Sequence, residues 1–278
     1  MEQEVLLIDC PDEKGLVHKI TGVLYDHDLN IVSNQEFVDA GSNYFFMRTA
    51  YEGPELPETI TAELERALPA SAHIRHASVG HRSVVLMATR EPHCLGDLLL
   101  RHSYGEIPAE IKAVVSNHEN LRPLTEAFNI PFHHISHEGK SREQHEKELL
   151  DLLEDLAPDY LVLAKYMRIF TEEFIGHFPN RIVNIHHSFL PAFTGASPYR
   201  QAFERGVKII GATAHFVTEK LDEGPIIAQD VIPVTHSHTA GEMAQAGRDV
   251  ETIVLARALR LVLEERVFIH HNRTVVFE

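Results

Sequence analysis

Hydrophobic and polar positions follow one pattern up to about residue 80 and another beyond it. In the first part, short apolar runs typical of strands alternate with stretches whose apolar residues recur at helical spacing. The predicted elements are, in chain order, a strand over 5–8, a helix after the turn at 11–17, strands from 30 and over 44–51, a helix over 56–68 and a strand over 72–79. This βαββαβ order is typical of a ferredoxin-like domain.

Beyond a linker at 80–82, apolar strands alternate with helical segments. Predicted strands cover 83–88, 111–116, 132–135, 160–164, 181–185, 208–217 and 225–234. Predicted helices cover 94–102, 120–128, 141–156, 171–177 and 239–264, and a terminal hairpin covers 267–277. Strands separated by helices favour a doubly wound, mainly parallel sheet. We therefore predict an α/β protein with two domains, 1–80 and 83–278.

Composition narrows the class of protein. A chain of 278 residues with 44% apolar content can form two domains with cores. No apolar run reaches 18 residues and no basic leader is visible, so we expect a cytoplasmic protein without a membrane partner. The formal net charge of −16 opposes nucleic-acid binding. Cys10 and Cys94, the only cysteines, lie in different predicted domains and are expected to be buried or incidental thiols.

Three polar side chains lie near two predicted strand ends. Asn184 and His186 are two residues apart on an extended segment, so they share one face, and Asp222 follows the next strand. Each residue alone is more often structural, as a capped strand end, a satisfied core histidine and a turn residue. Together, an amide, an imidazole and a carboxylate could assist attack on a carbonyl group at the strand ends that α/β sheets favour for ligands.

Two motifs connect these residues to a family. Asn184 to Pro191 reads N-x-H-x-S-x-L-P, and His215 to Pro225 reads H-F-V-x(4)-D-x-G-P. This combination resembles the formyltransferase fold, whose enzymes move or remove the formyl group of 10-formyltetrahydrofolate. The amino-terminal pattern resembles an ACT domain, a module that often binds amino acids.

The whole chain is similar to the formyltetrahydrofolate deformylases. The resemblance implies a regulatory ACT-like domain and a formyltransferase-type catalytic domain that hydrolyses 10-formyltetrahydrofolate to formate and tetrahydrofolate. Such a reaction would supply formate and balance one-carbon folate pools for purine synthesis. The folate would be the substrate, and no prosthetic group is expected.

Hydrolysis of an N-formyl group needs a positioned water, a stabilised oxyanion and a protonated leaving nitrogen. Asn184 could donate an N–H to the oxyanion. His186 could stabilise the oxyanion as an imidazolium or protonate the leaving nitrogen. Asp222 could hold and deprotonate the water, more effectively if a dry site raises its pKa, or keep His186 charged. His187 is next in sequence, so we predict that it faces the other side and is structural.

Folate recognition is expected in the loop after the strand over 160–164. By resemblance, Met167, Arg168, Ile169 and Phe170 wrap the pterin, and Arg168 could meet a carboxylate of the glutamate tail. An apolar stretch of this kind is otherwise more often core. His215 is placed close to the site by resemblance, where it could orient Asp222 or the bound ring, or be a buried structural histidine.

The first strand-to-helix loop of the second domain indicates whether water or an amine accepts the formyl group. A glycinamide ribonucleotide transformylase has a Gly-rich turn there that holds phosphate. Here Glu91 repels phosphate, Pro92 supplies no N–H, and Gly96 comes late, although Arg90 and His93 are also present. Water is therefore favoured. Formyl transfer to an amine acceptor and a non-catalytic amino-acid or folate sensor remain the alternatives.

Three residues of the first domain could hold a regulatory ligand. Asp12 and Gly15 form a D-x-x-G turn before a helix, and Asn30 begins the next strand. An amino-acid effector could bind there, although a tight turn and helix start explains the pattern equally well. Pairing through the edges of ACT-like domains favours a homodimer or homotetramer.

Metal and nucleotide motifs are missing from the sequence. There is no H-E-x-x-H pattern, so no metal is expected. Gly139-Lys140-Ser141 resembles the end of a P-loop, but it is better explained as a loop in which Ser141 caps a helix.

Overall fold

The computed structural model describes residues 4–52, 58–192 and 198–278. Packing divides these residues into two compact units. The first contains the residues up to Gly80 together with 264–268 and 275–278, and the second contains 81–263 and 269–274. The sequence pattern did not anticipate that residues near the carboxyl end belong to the first unit. The assignment of regulatory and catalytic roles to the two parts stays a prediction.

The first unit has the expected βαββαβ order. Its elements are β1 (Glu4–Pro11), α1 (Leu16–Asp26), β2 (Asn30–Asp39), β3 (Tyr44–Glu52), α2 (Glu58–Ala67) and β4 (His73–Ser78). Leu56 and Pro57, where the second helix was predicted to begin, lie outside the described residues. The antiparallel sheet has the order β2-β3-β1-β4, which confirms the ferredoxin-like prediction.

Strand β1 is apolar without alternation because both of its faces are covered. Leu6 and Ile8 pack with the helix residues Ile20 and Leu64. Val5 and Leu7, which point to the opposite face, form a second cluster with Phe268 and Phe277 from the carboxyl-terminal part of the chain.

The same face of this sheet carries a buried charge. The guanidinium of Arg48 donates to the backbone carbonyls of Glu264 and Glu265, at 2.9 and 3.0 Å. Burial lowers the pKa of Arg48 to about 10. Because an unpaired buried donor is costly, these carbonyls are part of what stabilises the first unit.

The second unit contains a seven-stranded sheet of order β11-β10-β9-β8-β5-β6-β7. Its elements are β5 (Arg82–Ala88), α3 (His93–Ser103), β6 (Ala109–Ser116), α4 (Arg122–Glu126), β7 (Phe132–His134), α5 (Arg142–Leu156), β8 (Tyr160–Leu163), α6 (Glu172–His177), β9 (Ile182–His186), α7 (Pro198–Arg205), β10 (Ile209–Phe216), β11 (Ile226–Pro233) and α8 (Ala240–Leu263). Strands β5 to β9 are all parallel to one another, whereas β10 is antiparallel to both of its neighbours, β9 and β11. The sheet is therefore mainly parallel, as predicted.

Two helices show why the sequence was easy to interpret in one place and not in another. Ser141 and Gln144 form a reciprocal capping box at the start of α5, as the expected capping by Ser141 requires. Helix α7 was not predicted, because it is only 8 residues long.

The hairpin of β12 (Val267–His270) and β13 (Arg273–Val276) follows α8. None of the described helices combines the length and apolar character needed to cross a bilayer.

Candidate active site

A cavity of about 540 Å³ lies in the second unit, beside the carboxyl ends of β8 and β9. This is the edge at which parallel α/β sheets present ligand sites. Its walls come from the loop after β8, from the end of β9, and from His215 and the loop between β10 and β11. The predicted site residues among its lining are Met167, Arg168, Ile169, Phe170, Asn184, His186, His215 and Asp222.

Asn184 is held by the strand next to it. It lies directly opposite His215 in the antiparallel pairing of β9 with β10. His215 Nδ1 is 2.8 Å from the carbonyl oxygen of Phe216, which can only accept, so Nδ1 carries the proton. His215 Nε2 therefore accepts from Asn184 Nδ2 at 3.2 Å. Burial lowers the pKa of His215, so a neutral imidazole fixes which way the Asn184 amide points.

His186 and Asp222 form the second contact of the site. His186 Nδ1 is 3.2 Å from Asp222 Oδ1. Burial acts to raise the pKa of Asp222, but the hydrogen bond and charge of His186 outweigh it, and the pKa is lowered. Asp222 is therefore an ionised carboxylate that orients His186, rather than an acid with a raised pKa. His186 Nε2 is buried and has no hydrogen-bond partner within the described parts of the chain.

The loop that carries Asp222 is folded tightly. Asp222 itself has a left-handed backbone, with φ of 56°. Two residues later, a Cβ added to Gly224 would lie 1.8 Å from the carbonyl oxygen of Phe216. Phe216 N also donates to Pro225 O at 2.9 Å. Only glycine permits this close approach, and the approach brings the carboxylate back over the strand ends.

His187, which was predicted to face away from the site, borders both this cavity and a second one of about 210 Å³ on the side of Tyr199. It lines the cavity together with His186, and the centroids of the two rings are 5.1 Å apart. Strand β9 ends at His186, so the alternation of faces on which the prediction depended stops there. Burial, together with the positive charges of Lys165 and His186, lowers the pKa of His187 to about 4.

The loop after β8 supplies apolar lining and one cation. Met167 and Ile169 are exposed, and Phe170 stacks on Phe174 with ring centroids 4.0 Å apart. Phe170 is thus anchored in the core while it lines the cavity. Arg168 is half-buried. The loop therefore has the composition of a small-molecule site, with apolar surface and few polar groups.

A buried polar cluster that sequence reasoning missed is centred on Glu251 of α8. Its fully buried carboxylate lies 2.7 Å from His93 Nε2, 3.2 Å from Lys165 Nζ and 2.6 Å from the Tyr199 hydroxyl. Burial opposes ionisation, but these donors outweigh it and lower the pKa of Glu251 to about 2. The available signal was an acidic residue within the apolar face of a long helix.

His93, Cys94 and Glu251 place three metal-ligating atoms within 4.8 Å of one another. Burial raises the pKa of the Cys94 thiol, which disfavours the thiolate that binds metals. Lys165 already supplies a cation to Glu251. The donor set therefore fits an ion pair better than a metal.

The three residues predicted to hold a regulatory ligand lie in the first unit. Gly15 precedes α1 with φ of 94°, a conformation that glycine adopts readily. Asp12 exchanges hydrogen bonds with Asn43 through its backbone, and Asn30 Nδ2 is 3.5 Å from Glu52 Oε2.

Two families match separate segments of the chain, in the same order as the two folded units. Residues 82–259 match the family described as Formyl transferase, and residues 5–68 match the ACT domain. A relative from Escherichia coli O6:H1, named formyltetrahydrofolate deformylase, is 55% identical over 276 residues, which is 99% of each chain.

Two solved structures show how far the likeness extends. The formyltetrahydrofolate deformylase of Pseudomonas syringae pv. tomato is 42% identical with a TM-score of 0.95, covering 100% of this chain and 95% of that one. A glycinamide ribonucleotide transformylase from Symbiobacterium toebii is 31% identical with a TM-score of 0.69, covering 72% of this chain and 95% of that one. The deformylase matches along the whole chain and the transformylase along part of it.

Proposed function

Because the chain belongs to the formyltetrahydrofolate deformylase family, we propose that it hydrolyses 10-formyltetrahydrofolate to formate and tetrahydrofolate. The observation that carries this proposal is the grouping of Asn184, His186 and Asp222 around one cavity of about 540 Å³. A cavity of this size fits a small organic ligand. Formate release in this way would feed one-carbon folate pools for purine synthesis.

The proposed mechanism assigns one role to each group. Asn184, whose amide is fixed by His215, donates an N–H to the oxyanion that forms when water attacks the formyl carbon. The Asp222 carboxylate holds His186 through Nδ1. His186 Nε2, as part of an imidazolium, then faces the developing negative charge. The lowered pKa of Asp222 supports this orienting role over the role of a base.

Folate binding is proposed for the loop after β8. Met167, Ile169 and Phe170 would contact the pterin, while Arg168 would pair with a carboxylate of the glutamate tail. His215 would act indirectly, by orienting Asn184. No prosthetic group or metal enters any of these steps.

Water is preferred over an amine as the formyl acceptor because of the loop before α3. This helix begins at His93 with Pro92 at its cap and no side-chain cap. Exposed Glu91 and buried Glu251 add negative charge near the helix start, where a transferase would need to hold a phosphate. The partial match to a transformylase keeps formyl transfer as the second candidate.

Formate release from 10-formyltetrahydrofolate by the full chain, in chelator and without an amine, tests the proposal. Turnover under these conditions supports a metal-independent hydrolase. Turnover only after glycinamide ribonucleotide is added would show a transferase. Binding of the folate without turnover in either condition would show a non-catalytic folate or amino-acid sensor.

Regulation by a small molecule is proposed for the first unit, since it matches the ACT family. An amino acid would bind near Asp12, Gly15 and Asn30 and change the rate of hydrolysis. Calorimetry of the full chain with each common amino acid tests this, and absence of heat with all of them would exclude it.

A homodimer or homotetramer is proposed because β2 is an edge strand with exposed apolar side chains. Val32, Phe37 and Val38 are exposed along it. Such an edge is a template for pairing with another strand. Light scattering after size exclusion would give the mass, and a monomer at all concentrations would contradict the proposal. A cytoplasmic location is also proposed, and cell fractionation would test it.

A further inference from the structure

One imidazole in the cavity has no role in the mechanism given above. His187 lines the cavity beside His186, and on its other side it borders a second cavity of about 210 Å³ with Tyr199, whose ring centroid is 6.2 Å away. Neither ring nitrogen of His187 has a hydrogen-bond partner among residues 4–52, 58–192 and 198–278. A half-buried imidazole that no protein group engages is available to a ligand or a water molecule in the cavity.

The surroundings of His187 keep it neutral. The charged and titratable groups that act on its pKa are Lys165 in the loop after β8, His186 at the end of β9, Asp222 in the loop after β10 and Glu251 in α8. Burial, Lys165 and His186 lower the pKa of His187 to about 4 and outweigh the opposite effect of the two carboxylates. At neutral pH one ring nitrogen therefore keeps a free lone pair.

The reaction needs such a lone pair, because the attacking water must lose a proton. Asp222 is poorly suited to accept it, since Oδ1 already binds His186 and the pKa of the carboxyl lies below its ordinary value. Asn184 cannot accept a proton, and His215 is engaged through both ring nitrogens. Of these groups at the strand ends, His187 has ring nitrogens that no group in the described parts of the chain engages, whereas the other carboxylate of the cavity, Glu219, is exposed in the loop after β10.

We propose that His187 is a catalytic residue that accepts a proton from the attacking water and returns it to the leaving nitrogen. The proposal rests on the deformylase function. First, the water oxygen bonds to the formyl carbon, the π electrons of the C=O bond move to its oxygen beside Asn184 and His186, and one water proton moves to His187. Next, the C=O bond re-forms and the bond from carbon to N10 of the folate breaks, leaving its electron pair on N10.

N10 then takes the proton from His187, which returns to its neutral form. The products are tetrahydrofolate and formic acid, and the acid releases its proton to water. A weakly basic imidazole gives a strongly acidic imidazolium, which is suited to protonating a weakly basic aromatic amine.

Two substitutions of the full chain test this step. His187→Ala removes the imidazole and leaves room for a free one, while His187→Asn keeps a hydrogen-bonding side chain that cannot carry the proton. His236→Ala is the matched control, because His236 is exposed and lies before α8, outside the cavity. Formate release is measured with and without free imidazole, and calorimetry measures binding of tetrahydrofolate.

We expect both His187 variants to lose about 10²–10⁴-fold in kcat, the usual effect of removing a general acid-base group. Tetrahydrofolate binding should stay close to that of the unaltered chain. Free imidazole should restore part of the rate of His187→Ala in proportion to its concentration, and should leave the unaltered chain and His236→Ala unchanged. A purely structural role would not produce such rescue.

The proposal is overturned if either folded variant keeps its kcat within about tenfold of the unaltered chain, well inside the usual general acid-base effect. It is also overturned if kcat falls, tetrahydrofolate still binds, and imidazole restores nothing to His187→Ala. Should the Ala variant not fold, kcat and binding of His187→Asn decide the matter. Absence of formate release by the unaltered chain would instead reject the proposed function itself.

Discussion

His186 Nδ1 and Asp222 Oδ1 lie 3.2 Å apart, so the carboxylate fixes the ring of the histidine and leaves Nε2 as its free end. The pairing lowers the pKa of Asp222 in spite of burial. A buried carboxylate that remains ionised beside a histidine stabilises the charged form of the ring. The two residues therefore act as one unit in the proposed chemistry.

Asp222→Asn should abolish most of the activity without removing the substrate site. An amide cannot stabilise the imidazolium of His186, so we expect kcat to fall by about 10²–10⁴-fold while tetrahydrofolate binding changes little. Formate release and calorimetry measure the two effects. Glu223→Gln, at the exposed neighbouring position, is the control and should remain active. Equal losses in both variants would contradict the specific role of Asp222.

Arg168→Ala should weaken substrate binding more than it slows the chemical step. Loss of a charge-assisted hydrogen bond to a carboxylate should raise KM by about tenfold to a hundredfold with little change in kcat. Arg200→Ala, which removes an exposed cation on α7, should change neither. Steady-state rates against 10-formyltetrahydrofolate concentration give both constants. An unchanged KM would mean that Arg168 does not contact the glutamate tail.

Because of Glu251, the free energy of unfolding should fall as the pH is lowered into the acid range. Its pKa is about 2 in the folded chain, below the ordinary value near 4.3, so its stabilising effect is complete above the ordinary pKa and is lost as pH falls toward 2. The difference corresponds to about 3 kcal/mol. Glu251→Gln should therefore be less stable at neutral pH, by about 3–5 kcal/mol, and its deficit should shrink in acid.

Urea unfolding at several pH values measures this deficit. Glu219→Gln, at an exposed position with no cluster around it, should show no deficit at any pH. A deficit of Glu251→Gln that is constant with pH would assign the loss to packing rather than to the charge.

Gly224→Ala should disturb the loop that carries Asp222. The added Cβ would overlap the carbonyl oxygen of Phe216, so the backbone must shift. We expect a loss of about 1–3 kcal/mol in unfolding free energy and a lower kcat. Gly176→Ala in α6 is the control, since a Cβ there meets no atom within 4 Å. Retained activity in Gly224→Ala would show that Asp222 tolerates movement of its loop.

Much of the fold could be predicted from the sequence because the strands of both sheets are strongly apolar and turns punctuate them. Helix α7 could not, since its 8 residues span little more than two turns, too few for apolar positions to repeat convincingly. The pairing of Asn184 with His215 also lay beyond reach, because register across an antiparallel pair depends on contacts distant in sequence.

The candidate site residues also differ in whether the local sequence could indicate them. Asn184, His186 and Asp222 were accessible because a motif surrounds them. The prediction for His187 depended on strand alternation, which ends one residue earlier. Glu251 and Lys165 are about 86 residues apart in the chain, and their partnership arises only when α8 packs near the end of β8.

Because Arg48 donates to the carbonyls of Glu264 and Glu265, the first unit cannot finish folding until the chain has been synthesised as far as residue 265. Domains near the amino terminus usually finish folding while the ribosome is still translating the remainder. Here Phe268 and Phe277 complete the core around Phe46, so the first sheet keeps an uncovered face until residues 268–277 have been synthesised. Expression of residues 1–80 alone would give a fragment with that face exposed, and a chain truncated before Phe268 would leave the unit made first without part of its core.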